Sequence, residues 1–154
     1  MATFILFDYA NLIHRCKHVS NSNVEDTVNF AIHITLQSIR QAAKKFDADH
    51  VMFAMEGYSW RRNIYPEYKA QRRIAEALKS EKEQKNDKVF FDEMREFGEF
   101  LETKTNVTVL RNKQAEADDM IARWIQIHPD DEHIICSSDS DYNQLLAPNV
   151  KIFN

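Results

Sequence analysis

Glycine is nearly absent. Gly57 and Gly98 are the only two in 154 residues. A loop that wraps phosphates with backbone N–H groups needs several glycines close together, so that class of nucleotide site is excluded. Cysteine is as scarce: Cys16 and Cys136 have neither metal-ligand spacing nor a framework of pairs, which reads as reduced thiols in a cytoplasmic protein. No apolar run is long enough to span a bilayer. The opening residues, MATFILFDYA, have no basic stretch before their short apolar run and meet Asp8 at once, unlike a secretory signal. Internal repeats and low-complexity linkers are also missing. A chain of this length is expected to form one domain around a single core.

Charge is plentiful but uneven. The formal net charge is −4, which taken whole argues against a polyanionic partner. Yet 61–73, RRNIYPEYKAQRR, sets five Lys/Arg against one Glu, so it carries +4 and everything else −8. Trp60, Tyr65 and Tyr68 interleave rings with these cations, a combination that stacks bases while neutralising phosphates. A solvated basic helix is the plain alternative.

Apolar patterning divides the rest. TFILF (3–7) reads as a buried strand ending at Asp8, and HVMFAM (50–55) as a second ending at Glu56-Gly57. Between them Ser22 and Glu25 have capping-box spacing. Val28, Ile32, Leu36, Ile39, Ala43 and Phe46 then repeat at helical intervals. After the basic stretch, IAEALKSEKEQKNDK has no core-facing stripe and predicts a projecting helical segment. Phe90, Met94, Phe97 and Leu101 mark another amphipathic helix. VTVL (107–110) is a strand, followed by a helix from near Glu116 with Met120, Ile121, Trp124 and Ile125 inward. HIIC (133–136), a short helix through Tyr142 and Leu145, and VKIF (150–153) follow. Alternating strands and helices imply a mostly parallel sheet covered on both faces.

In such sheets ligands bind beyond the carboxyl ends of the strands. Asp8 follows the first strand and Glu56 the second; Glu116, Asp118 and Asp119 open the helix after the third; Asp139 and Asp141 follow the fourth. These seven carry all but one of the −8. Singly each has an ordinary reading, as a helix N-terminal charge, a turn residue or a cap. Independent turn residues have no reason to share one edge, however. Two carboxylates ~4 Å apart repel by roughly 4 kcal/mol at an effective dielectric near 20. Hard divalent cations, Mg²⁺ or Mn²⁺, would offset that repulsion. A phosphatase of the haloacid dehalogenase type also puts Asp after its first strand, but needs a second Asp two positions on, where this chain has Ala10.

FDYANLIHR, YPEYKAQRR, QAEADDM and SSDSDYNQLL, in this order and spacing, resemble the phage and bacterial 5′-nuclease family of flap endonucleases, phage RNase H and polymerase-associated 5′-exonucleases. The resemblance implies a PIN-like catalytic domain over 1–154: a three-layer α/β fold with a five-stranded sheet in the order 3-2-1-4-5 and a basic helical arch over about 60–88. It makes Asp8, Glu56, Glu116, Asp118, Asp119, Asp139 and Asp141 the ligands of Mg²⁺ or Mn²⁺. Two ions are implied, Asp141 leaning toward a second site that is incomplete in this chain. Lys69 and Arg72 become the catalytic cations. Arg15, Arg61, Arg62, Tyr65, Tyr68 and Arg73 become nucleic-acid contacts.

The implied activity is structure-specific hydrolysis of phosphodiester bonds, in replication and repair. Its substrates would be DNA with a 5′ flap or single-stranded 5′ end, or an RNA–DNA hybrid, in a bacterial or phage-infected cytoplasm. Departures from the family pattern are Glu56 for Asp, Ser140 for Gly and Tyr9 for Gly. The family's duplex-gripping helix–three-turn–helix region is not found before Asn154, so the chain is a fragment, or the remainder comes from a separate chain, or the activity is reduced. A stand-alone PIN-type ribonuclease, and a nucleic-acid-binding split subunit inactive without its other half, remain open readings.

Overall fold

The computed structural model describes residues 1–20, 23–57 and 61–154, and the side chains of all of these except residues 62 and 63. Chain order is β1 (Thr3–Asp8), α1 (Tyr9–Val19), α2 (Val24–Phe46), β2 (His50–Ala54), α3 (Arg61–Ile64), α4 (Ala70–Ala77), α5 (Glu81–Lys104), β3 (Thr108–Leu110), α6 (Ala117–Ile127), β4 (Glu132–Cys136), a 3-10 helix (Ser140–Leu145) and β5 (Val150–Phe153). The strands pair in parallel in the order β3-β2-β1-β4-β5, as the resemblance implied. Among the described residues no helix is long and apolar enough to cross a membrane.

Central β1 is apolar along its length because both its faces are covered. Ile5 and Phe7 pack with Phe53 and Ile134 against α1, α2 and α5. Phe4 and Leu6 pack with Met52 and Ile135 against Ile121 of α6 and Tyr142 of the 3-10 helix. Since the strands are parallel, their carboxyl ends emerge along one edge.

Helix α1 has no counterpart in the sequence reading. It starts on the residue after β1, and Asp8 caps it by accepting from the Asn11 N–H at 3.1 Å. Only Leu12, Ile13 and Cys16 follow Tyr9 into the core, too few to stand out among polar neighbours. Tyr9, where the resemblance has glycine, lays its ring edge-on to Phe53 and donates its hydroxyl to the Met94 carbonyl on α5. A β-carbon on Gly98 would meet Tyr9 Cε1 at 3.5 Å and Met55 Cε at 2.9 Å. Bulk at position 9 is thus accommodated by its absence at position 98.

The buried stripe of α2 differs from the expected one. Thr27, Val28, Ala31, Thr35 and Ala42 are buried, whereas Leu36 is 47% exposed. Small residues allow α2 to lie close to its neighbours, which turns the larger Leu36 outward. Asn23 caps this helix, accepting from the Asp26 N–H at 2.9 Å. Ser22, of the expected capping box, lies outside the described residues.

The projecting segment is half as expected. Helix α4 buries none of its residues. From Glu81 onward, however, the chain already belongs to α5, capped by Ser80. Asp87 is buried there between Lys17 of α1 at 2.7 Å and Lys79 at 2.6 Å, tying the foot of the basic segment to the body. Burial by itself would push the Asp87 carboxyl up, but the bonds from both lysines outweigh it and hold it below the usual carboxylate range. Its contribution is therefore present above the unfolded-state value and lost as pH falls through the lower folded one. Asp87→Asn should cost roughly 1–3 kcal/mol at neutral pH, and the gap to wild type should close in acid. Melting curves from pH 2 to 7 check both the size and the sign.

Candidate metal centre and basic face

Three parallel strands and two short helical starts bring the acids together. Asp8 ends β1, buried, accepting from the Tyr142 hydroxyl at 2.9 Å as well as from Asn11. Burial pushes its carboxyl above the normal range; the Asn11 and Tyr142 bonds and the Lys69 charge pull it back, and Asp139 pushes it further up. Asp139 opens the 3-10 helix by accepting from the Asp141 N–H at 3.0 Å. Tyr142, on that helix, is pushed up by burial and then by the charges of Asp8, Asp118 and Asp139. One buried phenol thus feels three of the acids at once.

Glu56 follows β2, where the N–H of Gly57 donates to the Ala115 carbonyl at 2.9 Å. That bond sets the end of β2 beside the start of α6. The Glu56 carboxyl reaches solvent yet is raised to about 7, first by desolvation and then by Asp8, Glu116 and Asp118, with Lys69 opposing. Glu116 precedes α6, and its N–H donates to Asp119 Oδ2 at 3.1 Å. Glu116, Asp118 and Asp119 each offer an oxygen within 4.8 Å of the others. Six of the seven expected acids converge in this way. Asp141 is exposed, and among the described residues its carboxylate is given no bond to the other six.

All-oxygen donors, crowded and partly desolvated, fit a hard divalent cation; no sulfur or imidazole stands among them to favour a softer metal. Burial first, and then neighbouring carboxylates, push the Glu56 and Asp118 carboxyls upward, as expected where acids crowd together.

The basic segment reaches into this cluster. Lys69 Nζ donates to Glu116 Oε1 at 3.2 Å, and the Tyr68 hydroxyl to Oε2 at 3.3 Å. Arg61 contacts both Asp119 and Glu116. Lys69 has a left-handed backbone with φ 55°, uncommon for a residue other than glycine. Arg73 steadies that turn by donating to the carbonyls of Tyr68 at 3.0 Å and Pro66 at 2.7 Å. Arg72 is exposed beside Arg73 in an open groove that Gln84 also lines.

Tyr65 is exposed and donates to Glu67. Arg15, exposed on α1, lines a separate cleft with Asn11 and Gln41 near the ends of β4 and β5. The side chain of Arg62 and all of Trp60 lie outside the described residues. Sequence reasoning missed the bond from Tyr142 to Asp8 and that from Ser138 to Asn11. The only available signal was a tyrosine directly after the last aspartate.

The family model for the 5′-3′ exonuclease, N-terminal resolvase-like domain, matches residues 3–154. The chain belongs to this family. It is 26% identical over 163 residues to the flap endonuclease Xni of Shewanella loihica, covering 100% of this chain and 56% of that protein. It is 29% identical over 154 residues to the flap endonuclease of Escherichia phage T5, covering 97% and 50%. The chain spans about half the length of the curated relatives it matches.

Among solved 5′-nuclease structures, the phage T5 5′-exonuclease with bound zinc superposes with a TM-score of 0.79 at 26% identity, covering 98% of this chain and 54% of that one. A T5 flap endonuclease pseudo-enzyme–product complex with DNA and metal ions gives 0.76 at 27% identity, with the same coverage.

Proposed function

We propose that this chain is the metal-binding catalytic domain of a 5′-nuclease that hydrolyses phosphodiester bonds in DNA, or in an RNA–DNA hybrid, at a 5′ flap or single-stranded 5′ end. The observation that carries the reading is the convergence of Asp8, Glu56, Glu116, Asp118, Asp119 and Asp139 on the edge that the basic segment overhangs. Relatives bearing the flap endonuclease name, and a structural neighbour holding both DNA and metal ions, support it.

Glu116, Asp118 and Asp119 would hold a first Mg²⁺ or Mn²⁺ with Asp8, Glu56 and Asp139 around it, and Asp141 would lean toward a second. Such ions supply an activated water and stabilise the leaving oxygen. The protein's own part is electrostatic. Lys69 and Arg72 balance the charge that builds on the scissile phosphate. Arg15, Arg61, Arg62 and Arg73 attract the backbone, and Tyr65 and Tyr68 offer ring faces to unpaired bases. Glu56, with its carboxyl near 7, gives up its proton as a metal enters, so binding should be tighter above neutrality than below it.

Labelled 5′-flap DNA, single-stranded RNA and blunt duplex, each incubated with the chain with and without Mn²⁺, test this reading. Metal-dependent cutting of the flap is expected. Cleavage of the RNA alone would move the chain to the ribonucleases. Flap binding without cleavage would make it a subunit that depends on a separate chain.

A further inference from the structure

All four carboxylate oxygens of Glu116 and Asp119 already receive cations of the same chain. Arg61 lays its guanidinium along Asp119, with Nη2 on Oδ1 at 2.9 Å and Nη1 on Oδ2 at 3.0 Å. Nη1 also reaches Glu116 Oε2 at 3.1 Å. The remaining Glu116 oxygen, Oε1, accepts from Lys69. Two parallel bonds from one guanidinium to one carboxylate, as here to Asp119, are the geometry in which arginine binds an acid most strongly. The pair is well shielded: the side chain of Arg61 is 32% exposed and that of Glu116 only 5%. Since α4 buries no residue of its own, this contact and those of Lys69 and Tyr68 to Glu116 help to seat the basic segment on the sheet edge.

We infer that Arg61 is the resident cation of the metal-free centre and is exchanged for the divalent ion, so that metal entry and release of Arg61 are a single event. This inference rests on the metal-binding reading above. An ion on these oxygens would stand a few ångströms from the guanidinium, and the repulsion between the two positive charges sets them in competition for Glu116 and Asp119. The metal therefore competes with a built-in monovalent cation, and its affinity is lower than the six acids alone would give. The released guanidinium, planar and permanently charged, then becomes available to a phosphate oxygen. Metal loading in this way prepares the basic segment for a nucleic acid.

The test is calorimetric titration of Mn²⁺ into the metal-free chain, comparing wild type, Arg61→Gln, Arg61→Lys and Arg40→Gln. Arg40 lies exposed on α2 and controls for the loss of one positive charge anywhere on the surface. Arg61→Gln should bind Mn²⁺ about tenfold more tightly than wild type, the scale of one half-buried ion pair no longer in competition. Arg61→Lys, which keeps the charge but loses the fork, should fall between them, and Arg40→Gln should match wild type. If wild type and both Arg61 variants bind with one affinity, the exchange is wrong while the metal centre stands. If no variant and no wild type binds Mn²⁺, the metal centre itself is wrong. Should Arg61→Gln fail to fold, Arg61→Lys against wild type gives the same comparison.

Discussion

Glu116→Gln should abolish metal-dependent cleavage of a 5′-flap substrate, a loss on the order of a thousandfold, as expected when a ligand worth several kcal/mol is withdrawn. Asp139→Asn should do the same. The two should part company in the metal-free protein. Glu116 is 4% exposed and receives Arg61, Lys69 and Tyr68. An amide there leaves two cations facing a neutral group, so the melting temperature should fall. Asp139 accepts a backbone N–H through Oδ1, which asparagine reproduces, and its charge opposes that of Asp8. Removing it should leave the melting temperature level or raise it. Rates from a gel assay and melting curves in chelator settle both halves. Wild-type cutting by both variants would mean that the reactive edge has been misplaced.

Gly57→Ala should be far more disruptive than its size suggests. The added β-carbon would lie 2.1 Å from the Asn112 carbonyl oxygen and 2.7 Å from that of Ala115. Both are backbone atoms, which cannot rotate aside as a side chain can. The end of β2 and the loop before α6 must therefore separate, breaking the bond from the Gly57 N–H to Ala115. A cost at or above about 1–3 kcal/mol is expected, as for other overpacked sites. Glu56 and Glu116 flank these two residues and would be carried apart with them. The variant should thus lose Mn²⁺ affinity along with stability, whereas a simple packing defect far from the edge would lower stability alone. Calorimetry and thermal melting on the same sample distinguish these cases.

Much of this arrangement is legible in the sequence, for physical reasons. A strand buried on both faces has to be apolar along its length, so TFILF and HIIC announce themselves. A parallel sheet has to expose its strand ends together, which turns scattered acids into neighbours. What could not be read depends on contacts between distant elements. Helix α1 was hidden because Asp8 reads as a ligand or as a strand exit, and nothing beside it marks it as a cap. The α2 stripe was misjudged at Leu36 because side-chain size, rather than apolar character alone, decides which face comes close to a neighbour. Arg61 carries a charge that suits a phosphate as well as a carboxylate. Only the fold shows that Glu116 and Asp119 stand within its reach.

The bond between Tyr142 and Asp8 joins residues 134 apart in the chain, and this spacing bears on how the protein is made. Asp8 leaves a ribosome well before Asp139 does. Between them, Glu56 and the Glu116–Asp119 group arrive in turn, none of them able to form the centre with its nearest neighbours in sequence. A chain that has not yet reached Asp139 therefore has no complete set of carboxylates, however well its early segments fold. Until Asp139 and Tyr142 have emerged, the six acids cannot stand together on one edge.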